Sequence, residues 1–376
     1  YLTLVQLFMK NKSNSKIRIL ISGGGTAGHI FPAVAIADYI KNECDADFLF
    51  IGARKKMEMV KVKKAGYKIS AIWIDGLQRR ISFRNFILPL KLLISFVQCL
   101  YFIINYRPHV VIGTGGFVSG PIVFTASLLN IPTIIHEQNS FPGITNRILS
   151  KFVSKVCVSY PNLDAFFKKK KIIYSGNPVR NELKKFVSKE QSSIYFNLNP
   201  SLPTILVVGG SLGAEPINKI IFKSLTKIKS KGYQIIWQTG DKHYDKYKYL
   251  KSENVRILDF IDNMSYAYNA SDLVISRAGA IAIAEICLLK KSSILIPSPY
   301  VSENHQYENA KSLENNEATC LINQSSLELE FWEKLNYIMS NPNFRKKISK
   351  NAYSLSQKNA ESIIFKIVKD LIQNNK

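Results

Sequence analysis

The sequence predicts two doubly wound α/β domains, on three observations. Short, wholly apolar strands recur at helix-length spacing in both halves, glycine-rich turns follow three of them, and 376 residues with 46% hydrophobic content exceed one domain while supplying core for two. The first half offers "KIRILIS", "ADFLFIG", "HVVIGT", "PTIIHE", "KVCVS" and "KIIYSG"; the second offers "TILVVGG", "YQIIWQTG", "VRILDFI", "LVISRAG" and "SSILIPS". Runs that are apolar on both faces belong to parallel sheets covered by helices on each side. The seam is expected in "SGNPVRNELKKF", residues 175–186, before a polar stretch over 188–203.

The first strand leads into "ILISGGGTAGHIFPA", residues 19–33, where Gly23, Gly25 and Gly28 fit G-x-G-x-x-G and a helix is expected from near Pro32. That pattern holds a dinucleotide when an acidic residue at the end of the next strand takes the ribose. Here "DFLFIG" runs into Ala53 and Arg54, and Asp45 and Asp47 lie at or before its start, so no nicotinamide or flavin is expected. What remains is the physics of the turn: glycine lets backbone approach a ligand, and free amides at a helix N-terminus attract negative charge. The device recurs in "VVIGTGGFVSGP" and "ILVVGGSLGAEPIN", so phosphate groups approached from both domains are expected.

Residues 86–104, "FILPLKLLISFVQCLYFII", approach the roughly 20 residues that span a bilayer. Pro89, Lys91 and Gln98 interrupt the run, and a helix buried between sheet and surface is the expectation. Just upstream, "LQRRISFRNFI" mixes Arg79, Arg80 and Arg84 with Ile81, Phe83, Phe86 and Ile87, a blend suited to an anionic membrane interface.

The formal charge of +24, from 51 Lys and Arg against 27 Asp and Glu, favours nucleic acid, anionic lipid or a phosphorylated substrate as partner. No helix-turn-helix, zinc or aromatic RNA-binding pattern supports nucleic acid. Five dispersed cysteines without a C-x-x-C pair indicate neither disulfides nor zinc, and a reducing cytoplasm fits them. The opening "YLTLVQLFMK" lacks the basic leader and cleavage site of a signal peptide, and residues 1–8, before Met9, are expected to lie outside the fold.

Polar residues gather after the strands. "IIHEQNSFPGITNR" concentrates His136, Glu137, Gln138 and Asn139; "SRAGAIAIAEI" carries one acid, Glu285, suited to a sugar or ribose diol; "PSPYVSENHQYENA" adds His305, Gln306 and Asn309. Nothing spaces histidines or acids as metal ligands, so neither a metal nor another cofactor is expected.

These motifs, in order, resemble the MurG family of peptidoglycan glycosyltransferases, in glycosyltransferase family 28. "GGGTAGHIFPA", "GTGGFVSGP", "HEQNSFPGITNR", "GNPVR", "VVGGSLGA", "SRAGAIAIAEI" and "ENHQYENA" carry the resemblance, from about Lys16 to the last helix. It implies an α/β fold of the GT-B type, two Rossmann-like doubly wound domains facing across a cleft. The implied domains are 16–177, facing acceptor and membrane; 178–359, binding the UDP-sugar; and a helix, 360–376, returning to the first domain. It further implies transfer of N-acetylglucosamine from UDP-N-acetylglucosamine to undecaprenyl-diphospho-muramoylpentapeptide (lipid I), on the cytoplasmic face of the cell membrane. The implied substrate contacts are Thr26, Ala27, Gly28, Asn139, Arg180, Ser211, Ile261, Ala280, Ile281, Ala282, Ile283, Ala284, Glu285 and Gln306. Glu285 would hold the ribose, Ile261 the uracil region, Ser211 the diphosphate and Gln306 the sugar. This chain departs from the family pattern at Ala27, at Ala282 and Ala284, where hydroxyls are common, and at Leu212, where glutamine often stands, which leaves more of the diphosphate to backbone amides.

Inverting transfer to a C4 hydroxyl requires a base and stabilisation of the leaving diphosphate. His29, with an ordinary pKa near ~6.5, is the first candidate base and Glu137 the second. The rival readings are a hydrolysing UDP-N-acetylglucosamine epimerase of the same fold, against which the basic amphipathic segment argues, and a basic nucleic-acid-binding protein.

Overall fold

The computed structural model describes residues 16–76, 87–161, 163–301 and 304–375. Arg79, Arg80, Arg84, Ile81, Phe83 and Phe86 lie outside the described residues. The first sheet holds seven parallel strands, β1 (Ile17–Ser22), β2 (Ala46–Ala53), β3 (Lys68–Ile72), β4 (Val110–Gly113), β5 (Thr133–Glu137), β6 (Lys155–Val158) and β7 (Ile172–Tyr174), in the order β3-β2-β1-β4-β5-β6-β7. The second holds β8 (Thr204–Val208), β9 (Gln234–Gln238), β10 (Val255–Leu258), β11 (Leu273–Ser276), β12 (Ser292–Leu295) and β13 (Cys320–Leu321), also parallel, in the order β10-β9-β8-β11-β12-β13. Both are doubly wound, and they face each other in the GT-B arrangement. The order reverses between β1 and β4 and again between β8 and β11, where connections leave on opposite faces and open a crevice at the strand ends.

The apolar runs miss only β3 and β13, and both are edge strands. An edge strand has one neighbour and less cover; "KISAI" is mostly half-exposed and β13 is two residues long. The helix expected from near Pro32 instead spans Ala27–Glu43, with Pro32 inside it. An interior proline costs about 3 kcal/mol. Burial of Ile30, Ile36 and Ile40 against the sheet, at about 1.5–3 kcal/mol per side chain, offsets it. The loop's own Ala27 and Gly28 therefore begin the helix.

The long apolar segment forms the helix Leu88–Tyr106, which by length and composition is able to cross a membrane. Its burial is one-sided: Ser95, Cys99 and Ile103 are buried, whereas Leu93, Val97, Tyr101 and Ile104 are exposed. Pro89 sits in the first turn and interrupts nothing, Lys91 Nζ turns in to Asp75 and the Trp73 ring, and Gln98 accepts the Trp73 amide. The expected burial thus holds for one face only. The polar stretch after residue 188 contains one short helix, Lys189–Tyr195, started by a capping box between Ser188 and Gln191.

The last helix, Ala360–Gln373, packs Ile364, Phe365, Ile367 and Val368 into the core beneath the first sheet. Its first turn also grips the segment joining the two sheets. The buried Glu361 carboxylate accepts the Val179 amide at 2.8 Å and Lys184 Nζ at 2.6 Å, steadying the stretch that carries Arg180.

Candidate active site

The glycine loops after β1 and β4 interlock. The Gly24 amide approaches the Gly115 carbonyl at 3.4 Å, and Thr114 Oγ1 donates to the His29 carbonyl at 2.8 Å. At Gly116, φ is +79° and a Cβ would lie 2.3 Å from the Gly24 oxygen, so only glycine closes this contact. His29 lies between the loops: a Cβ on Gly115 would sit 2.9 Å from its Cδ2 and 3.1 Å from its Nε2. Its Nδ1 meets the Gly24 carbonyl at 2.9 Å and Thr26 Oγ1 at 3.2 Å. A carbonyl oxygen only accepts, so Nδ1 carries the proton and Nε2 keeps its lone pair. Burial lowers the His29 pKa, and His305 of the facing domain lowers it further, against the opposing Gly24 bond and Glu58 charge. His29 is therefore a neutral imidazole with a basic Nε2 near neutral pH.

Glu137 is committed elsewhere. Only 2% exposed, its Oε1 accepts from the Asn139 amide (3.1 Å) and Asn139 Nδ2 (3.2 Å), and its Oε2 from the Gly143 amide (3.1 Å) and Asn146 Nδ2 (2.9 Å). Burial raises its pKa although those donors pull the other way. This carboxylate shapes the 138–146 loop. Asn139 meets the second domain through its Oδ1, which accepts from Asn309 Nδ2 at 3.2 Å, while Asn309 Oδ1 accepts from the Ser140 amide and hydroxyl.

In the second domain Ser211 stands in the loop after β8, Ile261 follows β10 and is buried in the core, and the helix Ala280–Leu288 follows β11. Gln306 stands in the first turn of the helix His305–Glu314, where its Oε1 accepts the Ser298 amide. A Cβ at Gly210 or Gly279 would meet nothing within 4 Å, so two backbone turns border open space. Ala280, Ile281 and Ala282 form the first turn of a helix with no side-chain cap, leaving amides for an anion; Ile281 and Ile283 are buried, Ala282 and Ala284 partly so. Thr26, Ala27 and Gly28 present a second uncapped N-terminus across the crevice.

Arg180 and Glu285 come together directly. Glu285 Oε1 accepts from Arg180 Nε at 3.2 Å and Nη2 at 3.0 Å, and its Oε2 from the Tyr268 hydroxyl at 2.9 Å. The guanidinium also lies over the Phe31 ring of the first domain, 5.2 Å from its centroid. Glu285 is buried, so a diol reaching it must share Oε1 with Arg180 or Oε2 with Tyr268. The buried Gln238 ties the loops that carry Ile261 and Ser211, taking the Ile261 amide on Oε1 and donating to the Gly210 carbonyl. Sequence reasoning missed Gln238, Tyr268 and Glu58. Nothing local marks them: Glu58 sits in the charged run "RKKMEMV", where a solvated residue looks the same.

Comparison with known proteins identifies the family. Residues 19–158 match the glycosyltransferase family 28 N-terminal domain and residues 204–366 the glycosyltransferase family 28 C-terminal domain. The chain is 45% identical over 363 residues to the UDP-N-acetylglucosamine–N-acetylmuramyl-(pentapeptide) pyrophosphoryl-undecaprenol N-acetylglucosamine transferase of Flavobacterium psychrophilum, covering 96% of this chain and 99% of that one. Its fold matches the crystal structure of Acinetobacter baumannii MurG with a TM-score of 0.74 and 26% identity, over 95% of this chain and 100% of that one. The UDP-GlcNAc 2-epimerase of Neisseria meningitidis, at 14% identity and a TM-score of 0.65 over 95% and 100% of the two chains, shares the fold alone.

Proposed function

The chain belongs to glycosyltransferase family 28, and from that premise we propose that it transfers N-acetylglucosamine from UDP-N-acetylglucosamine to the C4 hydroxyl of the muramoyl sugar of lipid I, forming lipid II. One observation carries the reading: a neutral imidazole with a free lone pair and uncapped helix N-termini converge on one interdomain crevice. The C4 oxygen bonds to the anomeric carbon as that carbon's bond to the UDP oxygen breaks. The proton of the C4 hydroxyl passes to His29 Nε2, and UDP departs with the electron pair, inverting the centre. Amides at 280–282 and around Ser211 meet the departing diphosphate, Gln306 the donor sugar and Ile261 the uracil. The test is transfer of labelled N-acetylglucosamine from UDP to a lipid I analogue. Consumption of the donor without acceptor would favour the epimerase instead.

Glu285→Ala should weaken UDP binding by roughly 1.5–3 kcal/mol, the value of a hydrogen bond to a charged group, and should also lower the melting temperature, because it strands the Arg180 guanidinium and the buried Tyr268 hydroxyl. Calorimetry with UDP checks it. An unchanged dissociation constant would leave Glu285 as a partner of Arg180 only.

The lipid-linked acceptor also calls for a membrane face, and we infer a peripheral enzyme on the cytoplasmic leaflet. Leu93, Val97, Tyr101 and Ile104 form an apolar stripe, and Ile144, Arg147, Ile148, Lys151 and Phe152 add exposed apolar and basic side chains on a neighbouring element. Ring contacts join the two: Phe96 to Phe124, tilted, at 5.7 Å and Phe124 to Phe152, edge to face, at 5.0 Å. Each basic residue near an anionic surface contributes on the order of 1 kcal/mol. Sedimentation with anionic vesicles should thus show binding at low salt and release at high salt. Glutamine at Arg79, Arg80 and Arg84 should weaken anionic binding most, and serine at Leu93 and Val97 should weaken binding to anionic and neutral vesicles alike. Retention that only detergent reverses would mean that the Leu88–Tyr106 helix inserts.

A further inference from the structure

We propose that Glu58 is a positioning residue for His29, acting through the single peptide bond between Gly24 and Gly25. The proposal rests on His29 being the base. Glu58 begins the helix Glu58–Lys64 after β2 and has no solvent exposure. Its Oε2 accepts the Gly25 amide at 3.1 Å and its Oε1 the Ala53 amide at 3.1 Å. The carbonyl of that same peptide unit, Gly24 O, accepts His29 Nδ1 at 2.9 Å. A trans peptide carries its N–H and C=O on opposite edges. Carboxylate, amide and imidazole therefore stand in one hydrogen-bonded line.

The surrounding residues are shaped for this line. A Cβ at Gly24 would lie 2.4 Å from Glu58 Oε1, and one at Gly52 would lie 2.8 Å from its Cγ, so the carboxylate fits only against two bare backbones. Gly25 supplies the turn, with φ at +81°. A charged acceptor on one edge of an amide polarises it and strengthens the carbonyl on the other as an acceptor. That carbonyl locks the proton on Nδ1, aims Nε2 at the crevice and stabilises the imidazolium once Nε2 has taken the substrate proton. In serine hydrolases a carboxylate does this by direct contact with the imidazole; here one peptide unit intervenes. The other titratable groups facing His29 are His305 of the second domain, which opposes its protonation, and His136 on β5, whose own pKa the His29 charge lowers.

The test is nitrogen-15 NMR of the full-length protein labelled at histidine, with His29→Gln to identify the His29 signals. Neutral His29 should carry its proton on Nδ1. Glu58→Gln should lower the His29 pKa, mix its tautomers and move the acid limb of the kcat profile to lower pH. At neutral pH, kcat should fall about 10- to 100-fold, as on loss of a partner that orients a reactive imidazole, with the KM for UDP-N-acetylglucosamine unmoved. A wild-type His29 protonated on Nε2 overturns the proposal even if the variant does not fold. So does a Glu58→Gln protein whose His29 keeps its tautomer and pKa. Because NMR reads His29 without turnover, these results are separable from the base assignment, which His29→Ala tests in the transfer assay.

Discussion

His29→Ala is expected to lower kcat for sugar transfer by about two to four orders of magnitude, the range contributed by a positioned general base, while UDP affinity stays near the wild-type value. Nδ1 is held by the Gly24 carbonyl and Nε2, beside Gly115, keeps its lone pair, so the ring has one nitrogen to anchor it and one to act. Alanine removes both; the Glu137 oxygens are taken by four donors and His136 donates to the Gly176 carbonyl, so neither of these neighbours takes over the proton. The pH dependence has a definite sign. Burial and His305 hold the His29 pKa below its ordinary value, so the active neutral form prevails at neutral pH, and kcat falls only as the pH drops through that lowered pKa. Stopped assays across an acidic pH series check both statements. A raised KM with an intact kcat would reduce His29 to a binding residue.

Glu137→Ala should act on stability before chemistry. It strands four donors, the amides of Asn139 and Gly143 and the side chains of Asn139 and Asn146, in a loop that also meets Asn309 of the second domain. Each buried group left unsatisfied costs about 1–3 kcal/mol, and water entering the space recovers part, so a loss of about 3 kcal/mol is expected. For a domain of this size that lowers the melting midpoint by roughly 6–12 °C. Calorimetric melting of both proteins reads this directly. An unchanged midpoint beside a hundredfold loss of kcat would return Glu137 to the role of base.

The Glu285→Ala, vesicle-binding and Glu58→Gln experiments probe donor, membrane and positioning roles separately. Their outcomes are independent because the residues lie in different parts of the fold: a helix of the second domain, the exposed face of the Leu88–Tyr106 helix, and the underside of the first glycine loop.

Sequence by itself determined the features that depend on near neighbours. Apolar runs mark the central strands because a parallel strand covered on both faces needs apolar side chains on both, and glycine clusters mark the crevice because turns and close approaches are local demands on φ and on Cβ. The edge strands β3 and β13 escaped because half a covering asks for half the signal. Tertiary structure alone decided which polar residues act and which only hold. Glu137 lies two residues from Asn139 in sequence, yet its role follows from Gly143 and Asn146 turning back over it. Glu58 meets the first glycine loop across 33 residues of chain, and Arg180 meets Glu285 across 105. A carboxylate's function depends on the donors that surround it, and those donors come from distant segments, so a local pattern cannot specify it; only the packed sheets bring the partners within 3 Å or so of each other.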